Sequence, residues 1–330
     1  MDQSKILRAT EDAVLFEKLA ASNLFAREDD PIYGSFGRRY FVHTVDAPVF
    51  DTSFCIVEND QPISLVECNV LQKTLGFFGM PIRLRMAENI DIQRQDWVRS
   101  IYSEFDRICG LMDVERIRVM GEQPLNRVTP VENTALARGG EISVSIHAVV
   151  SLVESEDELR RRLRKSYKSL INWGRRELRL EYVNADNPDR NLFNIYRNFH
   201  QRIAGRVTRK IGSWDVQYET IVAGQGELTL GYLDDSLLSG LLVIDGRTNS
   251  VYSSAVNDRE AFDKPLGHWP LFNAFLRSKA RGKLQFDIGE VPFQAESLDK
   301  VISIGKFKKG FTNHLEYRSI WDIPSGKIGN

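Results

Sequence analysis

Three cysteines and five histidines in 330 residues leave little room for thiol or metal chemistry. Cys55, Cys68 and Cys109 are odd in number, widely spaced and free of any CxxC pair. That pattern excludes a disulfide framework and reads as small buried hydrophobes in a reducing compartment. The histidines fall into neither an HExxH nor a Cys/His spacing, so no metal site is expected. No stretch approaches the ~18 apolar residues of a membrane-crossing helix. The opening MDQSKILRATEDAVLF lacks the basic and apolar regions of a signal peptide. These absences give the expectation of a cytoplasmic protein without stable membrane insertion. The 44 basic and 45 acidic residues nearly cancel, so nothing global draws the chain to DNA or an anionic surface. Any such affinity must be local, and oligomeric state is not legible.

What the chain does have is an ordinary globular composition, 42% hydrophobic and 10% aromatic, and a length suggesting two domains. A repeated order of elements supports the division. Ser53 to Val57 reads as a strand and Asn59-Asp60-Gln61-Pro62 as a turn, followed by strands from about Ile63 to Val70 and Thr74 to Phe78. Trp97, Ile101, Phe105, Ile108 and Leu111 then recur at helical spacing, and Ile117 to Met120 forms another strand. The series returns as Leu228 to Leu233, a turn at Asp234-Asp235, Leu238 to Ile244 and Val251 to Val256. A helix through Leu271, Phe275 and Ala280 and a strand from Leu284 to Ile288 complete it. Two βββαβ series imply a duplicated α/β architecture of the α+β type, with mixed, mainly antiparallel sheets. The expected lobes are residues 1–150 and 151–330.

A long basic helix is expected at about 155–180, opened by a Ser155/Glu158 capping box. Leu159, Leu163, Tyr167, Leu170 and Ile171 mark its apolar face. Arg160, Arg161, Arg162, Arg164, Lys165, Lys168, Arg175, Arg176 and Arg179 form either a solvated face or an electropositive wall for phosphates. The run is too short and aromatic-poor to establish an RNA-binding surface.

Four segments carry a family resemblance: the basic run Leu163 to Asn172; Phe199 to Arg209 with Trp214 and Gln217; Gly282 followed by Phe286-Asp287-Ile288-Gly289; and Ile304-Gly305-Lys306-Phe307-Lys308-Lys309-Gly310-Phe311. Together they resemble the Fem-type and related sugar N-acyltransferases, double-GNAT members of the GNAT superfamily. The resemblance covers roughly residues 155–320 and implies two tandem GNAT-like lobes. It also implies acyl-CoA as co-substrate, with no metal, and an amino-sugar acceptor, nucleotide-linked and destined for a surface glycan. Two departures stand out. The [Q/R]xxGx[G/A] loop is missing between Asn257 and His268, and Thr312 follows Phe311 where glycine is usual. The competing readings are an aminoacyl-tRNA-dependent transferase acting on peptidoglycan precursors and a degenerate, non-catalytic GNAT pair. Only about 45 residues separate Arg179 from Leu228, which leaves no room for the coiled-coil arm of many tRNA-dependent relatives.

Acyl transfer to an amine needs a deprotonated amine, a held carbonyl and donors for the oxyanion. His200 is a base by residue type, or a packed core histidine beside Phe199 and Ile203. Asp287, with Glu290, ends the final strand, where carboxylates orient an amine or serve the fold. The resemblance places donor contacts at Ser253 and Ser254, whose backbone amides would polarise the carbonyl, and at His268. Lys306, Lys308 and Lys309 would meet donor phosphate. Arg206 and Arg209 suit acceptor phosphate, or else surface ion pairs, with Trp214 and Gln217 beside them as substrate contacts.

Overall fold

The computed structural model describes residues 5–25, 30–88, 90–91, 93–121, 128–292 and 299–326. It resolves into two compact units. The first gathers Tyr33–Ser145 with the N-terminal segment and everything from Tyr317 onward; the second holds Ile146–Glu316 with Asp30–Ile32. The chain passes from the first unit to the second within the strand Glu141–Ser151 and returns within Leu315–Pro324.

In the first unit the meander is divided. Strands Phe54–Glu58 and Gln61–Val66 form a hairpin in a four-stranded sheet with Lys5–Arg8 and Leu84–Met86. Asn59 and Asp60 both take positive φ, 47° and 59°, as a two-residue hairpin turn requires. The expected strand from Ile63 to Val70 breaks after Val66, and Asn69–Leu71 joins a different sheet with Thr74–Gly76. The helix Asp96–Met112 then crosses back, and Arg116–Met120 lies parallel to Thr74–Gly76. Trp97, Ile101, Phe105 and Ile108 are all buried in one core with Phe54, Ile56, Ile117 and Val119.

The second unit keeps its meander whole. Gly226–Leu233, Ser236–Asp245 and Asn249–Asn257 are consecutive antiparallel neighbours. The helix His268–Ala280 leads to Gln285–Glu290, which pairs parallel with Asn249–Asn257 on one side and antiparallel with residues 146–151 on the other. Both units therefore contain a strand–helix–strand crossover joining a parallel pair, within otherwise antiparallel sheets. Leu271, Phe272, Phe275, Phe286 and Ile288 form the core under the crossover helix; each such buried side chain contributes roughly 1.5–3 kcal/mol.

The long basic helix is two helices, Glu156–Arg162 and Lys165–Glu177, with Leu163 and Arg164 extended between them. The break turns Leu163 into the core, where it is 5% exposed, and frees the Arg164 amide to donate to the Gly310 carbonyl at 2.9 Å. The Ser155/Glu158 capping box is present. Among the described residues, no helix is long and apolar enough to cross a membrane. No group of three or more His, Cys, Asp or Glu side chains among them could hold a metal ion.

Candidate functional site

The site lies within the second unit, where two strands part. Asn249–Asn257 and Gln285–Glu290 are paired only at Asn249/Gln285, Ser250/Phe286 and Val251/Asp287. Beyond Val251 the former stays with Ser236–Asp245, while Gly289 and Glu290 turn to Ala148 and His147. Each strand keeps its outer neighbour and loses the inner one, so ladder groups face a slot instead of a partner. Along Asn249–Asn257 the register slips: Leu242 opposes Ser254 and Val243 opposes Tyr252, leaving Ser253 as the extra residue of a β-bulge.

The bulge sets up two side-chain clusters. Tyr252 and Ala255 pack toward the crossover helix, whereas the Ser254 hydroxyl meets the Tyr196 hydroxyl at 3.0 Å. Arg209 Nη2 also donates to Ser254 Oγ, at 3.3 Å. The helix Arg190–Ala204 presents Tyr196 and His200 one turn apart; Asp189 caps its first turn and Gly205, at φ 68°, ends it. The chain then doubles back, so that Arg209 Nη1 donates to His200 Nε2 at 3.0 Å and Thr208 Oγ1 lies 3.3 Å from Nδ1. A guanidinium is always a donor, so Nε2 accepts and the His200 proton sits on Nδ1. Burial and the Arg209 charge push the His200 pKa down to about 4. His200 is thus a neutral ring with both nitrogens engaged, stacked edge-on against Trp214.

That state has a consequence for stability. Between pH 6.5 and 4 the unfolded chain protonates this histidine and the folded chain does not, so stability falls as pH falls through that window. After allowing for its partial exposure, the loss between pH 7 and pH 5 is expected to be about 1 kcal/mol. Urea midpoints at the two pH values should differ less in His200→Gln than in the wild type.

The expected substrate contacts Trp214 and Gln217 are not on an open surface. Both are buried, at 1% and 0% exposure, and the indole N–H and the whole Gln217 amide lack a protein hydrogen-bond partner among the described residues. They lie inward of the Tyr196–His200 face, on the helix Ile211–Val222. Arg206 is exposed in the loop before that helix. Arg209 is committed to His200 and Ser254 and lies over the Trp214 ring at 5.1 Å.

On the other face, the helix Asp299–Lys309 brings Phe307 and Lys308 to the slot. Phe307 lines a narrow cleft of about 10 Å³ with Tyr252, Ala255, Asn257, Gly267, Pro270 and Leu271. That is room for about one water. His268 is enclosed by the rings of Tyr167, Phe307 and Phe311, 4.6 to 6.1 Å away. Burial lowers its pKa, and its Nδ1 has no protein partner among the described residues. Lys308 donates to the Glu290 carbonyl at 2.9 Å and lies 5.9 Å from the Tyr252 ring. Burial pulls its pKa down against the opposing pull of Asp287 and Glu290. Lys306 and Lys309 are exposed, as is Glu290. Gly289, at φ 95°, has the Lys308 ammonium 2.9 Å from where a Cβ would stand; the backbone conformation disfavours a side chain there, and the lysine tip would have to shift for one.

The structure also brings in a residue that sequence reasoning passed over. His147 Nδ1 lies 2.9 Å from Asp287 Oδ2 and 3.2 Å from Oδ1, and the Gly289 amide donates to Oδ1 at 2.6 Å. His147 sits in a strand that the repeated pattern does not include, and its pairing with Gln285–Glu290 has no signal in local sequence.

No protein-family model matches the chain, and no curated protein matches it in sequence. Solved structures do. The chain is similar to FemX over 93% of its own length and 95% of FemX, with TM-score 0.70 at 12% identity. It is similar to a tandem GNAT protein from the clavulanic acid biosynthesis pathway, over 99% and 100% of the two chains, with TM-score 0.57 at 14% identity. A third likeness is to the C-terminal domain of a putative lysylphosphatidylglycerol synthetase from Agrobacterium fabrum, over 93% and 91%, with TM-score 0.57 at 11% identity. The fold is two GNAT-like lobes in tandem, with mixed, mainly antiparallel sheets.

Proposed function

We propose that the chain is an N-acyltransferase that moves an acyl group from acyl-CoA to the amine of an amino sugar, nucleotide-linked, for a surface glycan. The parting of Asn249–Asn257 from Gln285–Glu290 at Val251/Asp287, with the bulge at Ser253, is the observation that carries the reading. A slot between two diverging strands offers unpaired backbone N–H groups to an extended donor and to the oxyanion of its reacting carbonyl. Such donors, fixed in a water-poor site, are worth roughly 10²–10³ in rate. The donor would enter past Gly267, with Phe307 moving aside because the cleft holds no more than a water in this conformation. Its phosphates would meet Lys306 or Lys309. Arg206, exposed in the loop that also carries Arg209, would supply remote charge for the acceptor. His200 serves this site as a neutral wall and hydrogen-bond acceptor for Arg209, since a ring with a pKa near 4 is a weak base at neutral pH.

The likeness to FemX and the missing [Q/R]xxGx[G/A] loop favour a second reading, the aminoacyl-tRNA-dependent Fem-type transferase. It uses the same slot for an ester in place of a thioester. A degenerate pair that only binds would retain the fold with no turnover. Calorimetry with CoA, alongside mass spectrometry of whatever small molecule or RNA co-purifies, separates the three. Micromolar CoA binding that is lost when Phe307 is replaced by tryptophan supports the proposal. Absence of CoA binding with tRNA co-purifying moves the assignment to the second reading, and neither ligand leaves the binding subunit.

A further inference from the structure

Resting on the transferase reading above, we infer that His147 is the general base of the reaction and that Asp287 positions it. Asp287 is the last residue of its strand to pair with Asn249–Asn257, so it stands at the point where the slot opens. His147 opposes Glu290 on the outer strand, three residues further along. The two side chains meet across that pair through Nδ1, at 2.9 and 3.2 Å from the carboxylate oxygens. Asp287 is held in turn by the Gly289 amide, and both side chains are mostly buried, at 18% and 12% exposure.

A carboxylate bonded to one imidazole nitrogen fixes the tautomer and the ring orientation, leaving the other nitrogen basic. His147 Nε2 has no hydrogen-bond partner among the described residues. The charged groups around the ring are Asp287 and Glu290 on the neighbouring strand and Lys308 from the helix Asp299–Lys309, which donates to the Glu290 carbonyl. Asp287 faces the ring directly, at hydrogen-bond distance from Nδ1. His200 offers the contrast: its partners are a guanidinium and a hydroxyl, which oppose a positive ring.

In the step itself, the acceptor amine nitrogen attacks the carbonyl carbon of the acyl thioester and a C–N bond forms. The amine proton passes to His147 Nε2. As the tetrahedral centre collapses, the C–S bond breaks and the thiolate takes a proton from Nε2, regenerating the neutral ring. The products are the amide and free thiol, and the protein is unchanged.

The test uses acetyl-CoA as donor, with glucosamine and a nucleotide-linked glucosamine as acceptors, and follows thiol release. His147→Gln is expected to lower kcat by roughly 10²–10⁴-fold while CoA affinity stays within about threefold of wild type. Imidazole added to His147→Ala should restore part of the rate. Asp287→Asn should lower kcat by roughly 10–10²-fold through loss of ring orientation, with the acceptor KM and CoA affinity little changed. A merely structural Asp287 would change stability and leave the kcat of the folded variant in place. Wild-type kcat in a folded His147→Gln overturns the assignment, and wild-type kcat in a folded Asp287→Asn overturns the positioning role. A wild-type chain that turns over none of these probes and binds no CoA fails at the transferase reading itself, taking the base with it. That failure is recognisable because it precedes any substitution.

Discussion

Glu227→Ala is expected to destabilise the second unit by about 3–5 kcal/mol, as breaking a buried ion pair does. Glu227 is 2% exposed and stands at the base of the meander strand Gly226–Leu233. Its carboxylate accepts from Arg277 of the crossover helix, from Arg281 at that helix's C-cap, and from the Asn184 amide at 2.9 Å. Arg277 also lies over the Tyr182 ring, 3.9 Å from its centroid. Removing the carboxylate leaves two half-buried guanidiniums facing each other with one fewer counter-charge. Arg281 retains Asp245 at 2.7 Å, whereas Arg277 loses its carboxylate partner. Urea unfolding of Glu227→Ala, compared with Glu227→Gln, measures the effect. A loss under about 1 kcal/mol would mean that the pair behaves as an exposed one.

Gly310→Ala is expected to destabilise the same unit and to reach the donor slot as well. A Cβ at Gly310 would stand 2.1 to 2.6 Å from three atoms of the Tyr167 phenol. Tyr167 cannot step aside at low cost, because it is 5% exposed, its hydroxyl donates to the Phe307 carbonyl at 3.2 Å, and its ring packs on His268 and Phe311. Overpacking of this kind costs about 1–3 kcal/mol or more. The helix that must move to relieve it is the one presenting Phe307 and Lys308. The variant should therefore lose donor affinity by more than its change in melting temperature accounts for. Equal CoA affinity in the folded variant would separate this helix from the donor site.

Much of this architecture is legible in the sequence, for identifiable reasons. Strands with apolar runs bounded by Asn-Asp or Asp-Asp turns declare themselves locally. So does a helix whose Trp97, Ile101, Phe105 and Ile108 share one buried face. The break at Leu163 does not, because Leu163 satisfies the helical apolar pattern and is pulled out of it by a tertiary hydrogen bond from Arg164 to Gly310. Site residues divide in the same way. Asp287 is found at the end of a recognisable strand, but its partner His147 lies 140 positions away, on a strand outside the repeat. Trp214 and Gln217 match a family block, yet helix phase turns both inward, which a block match does not encode. The bulge at Ser253 follows from pairing with the neighbouring strand, and no residue in Val251 to Val256 announces it.

The return of the chain's last strand also fixes an order of events during synthesis. Ile320 to Pro324 pair antiparallel with Arg116–Met120, and Trp321 and Ile323 enter the core of the first unit. Those residues leave the ribosome some 200 positions after the strand they complete. Until then Arg116–Met120 lacks that neighbour, and an unpaired strand flank is a template for wrong partners. The second unit is fully synthesised by Glu316 and can finish while the first still waits. The lobe translated first is thus the lobe completed last. Chains interrupted before Tyr317 would leave its core short of two large side chains and in need of a chaperone.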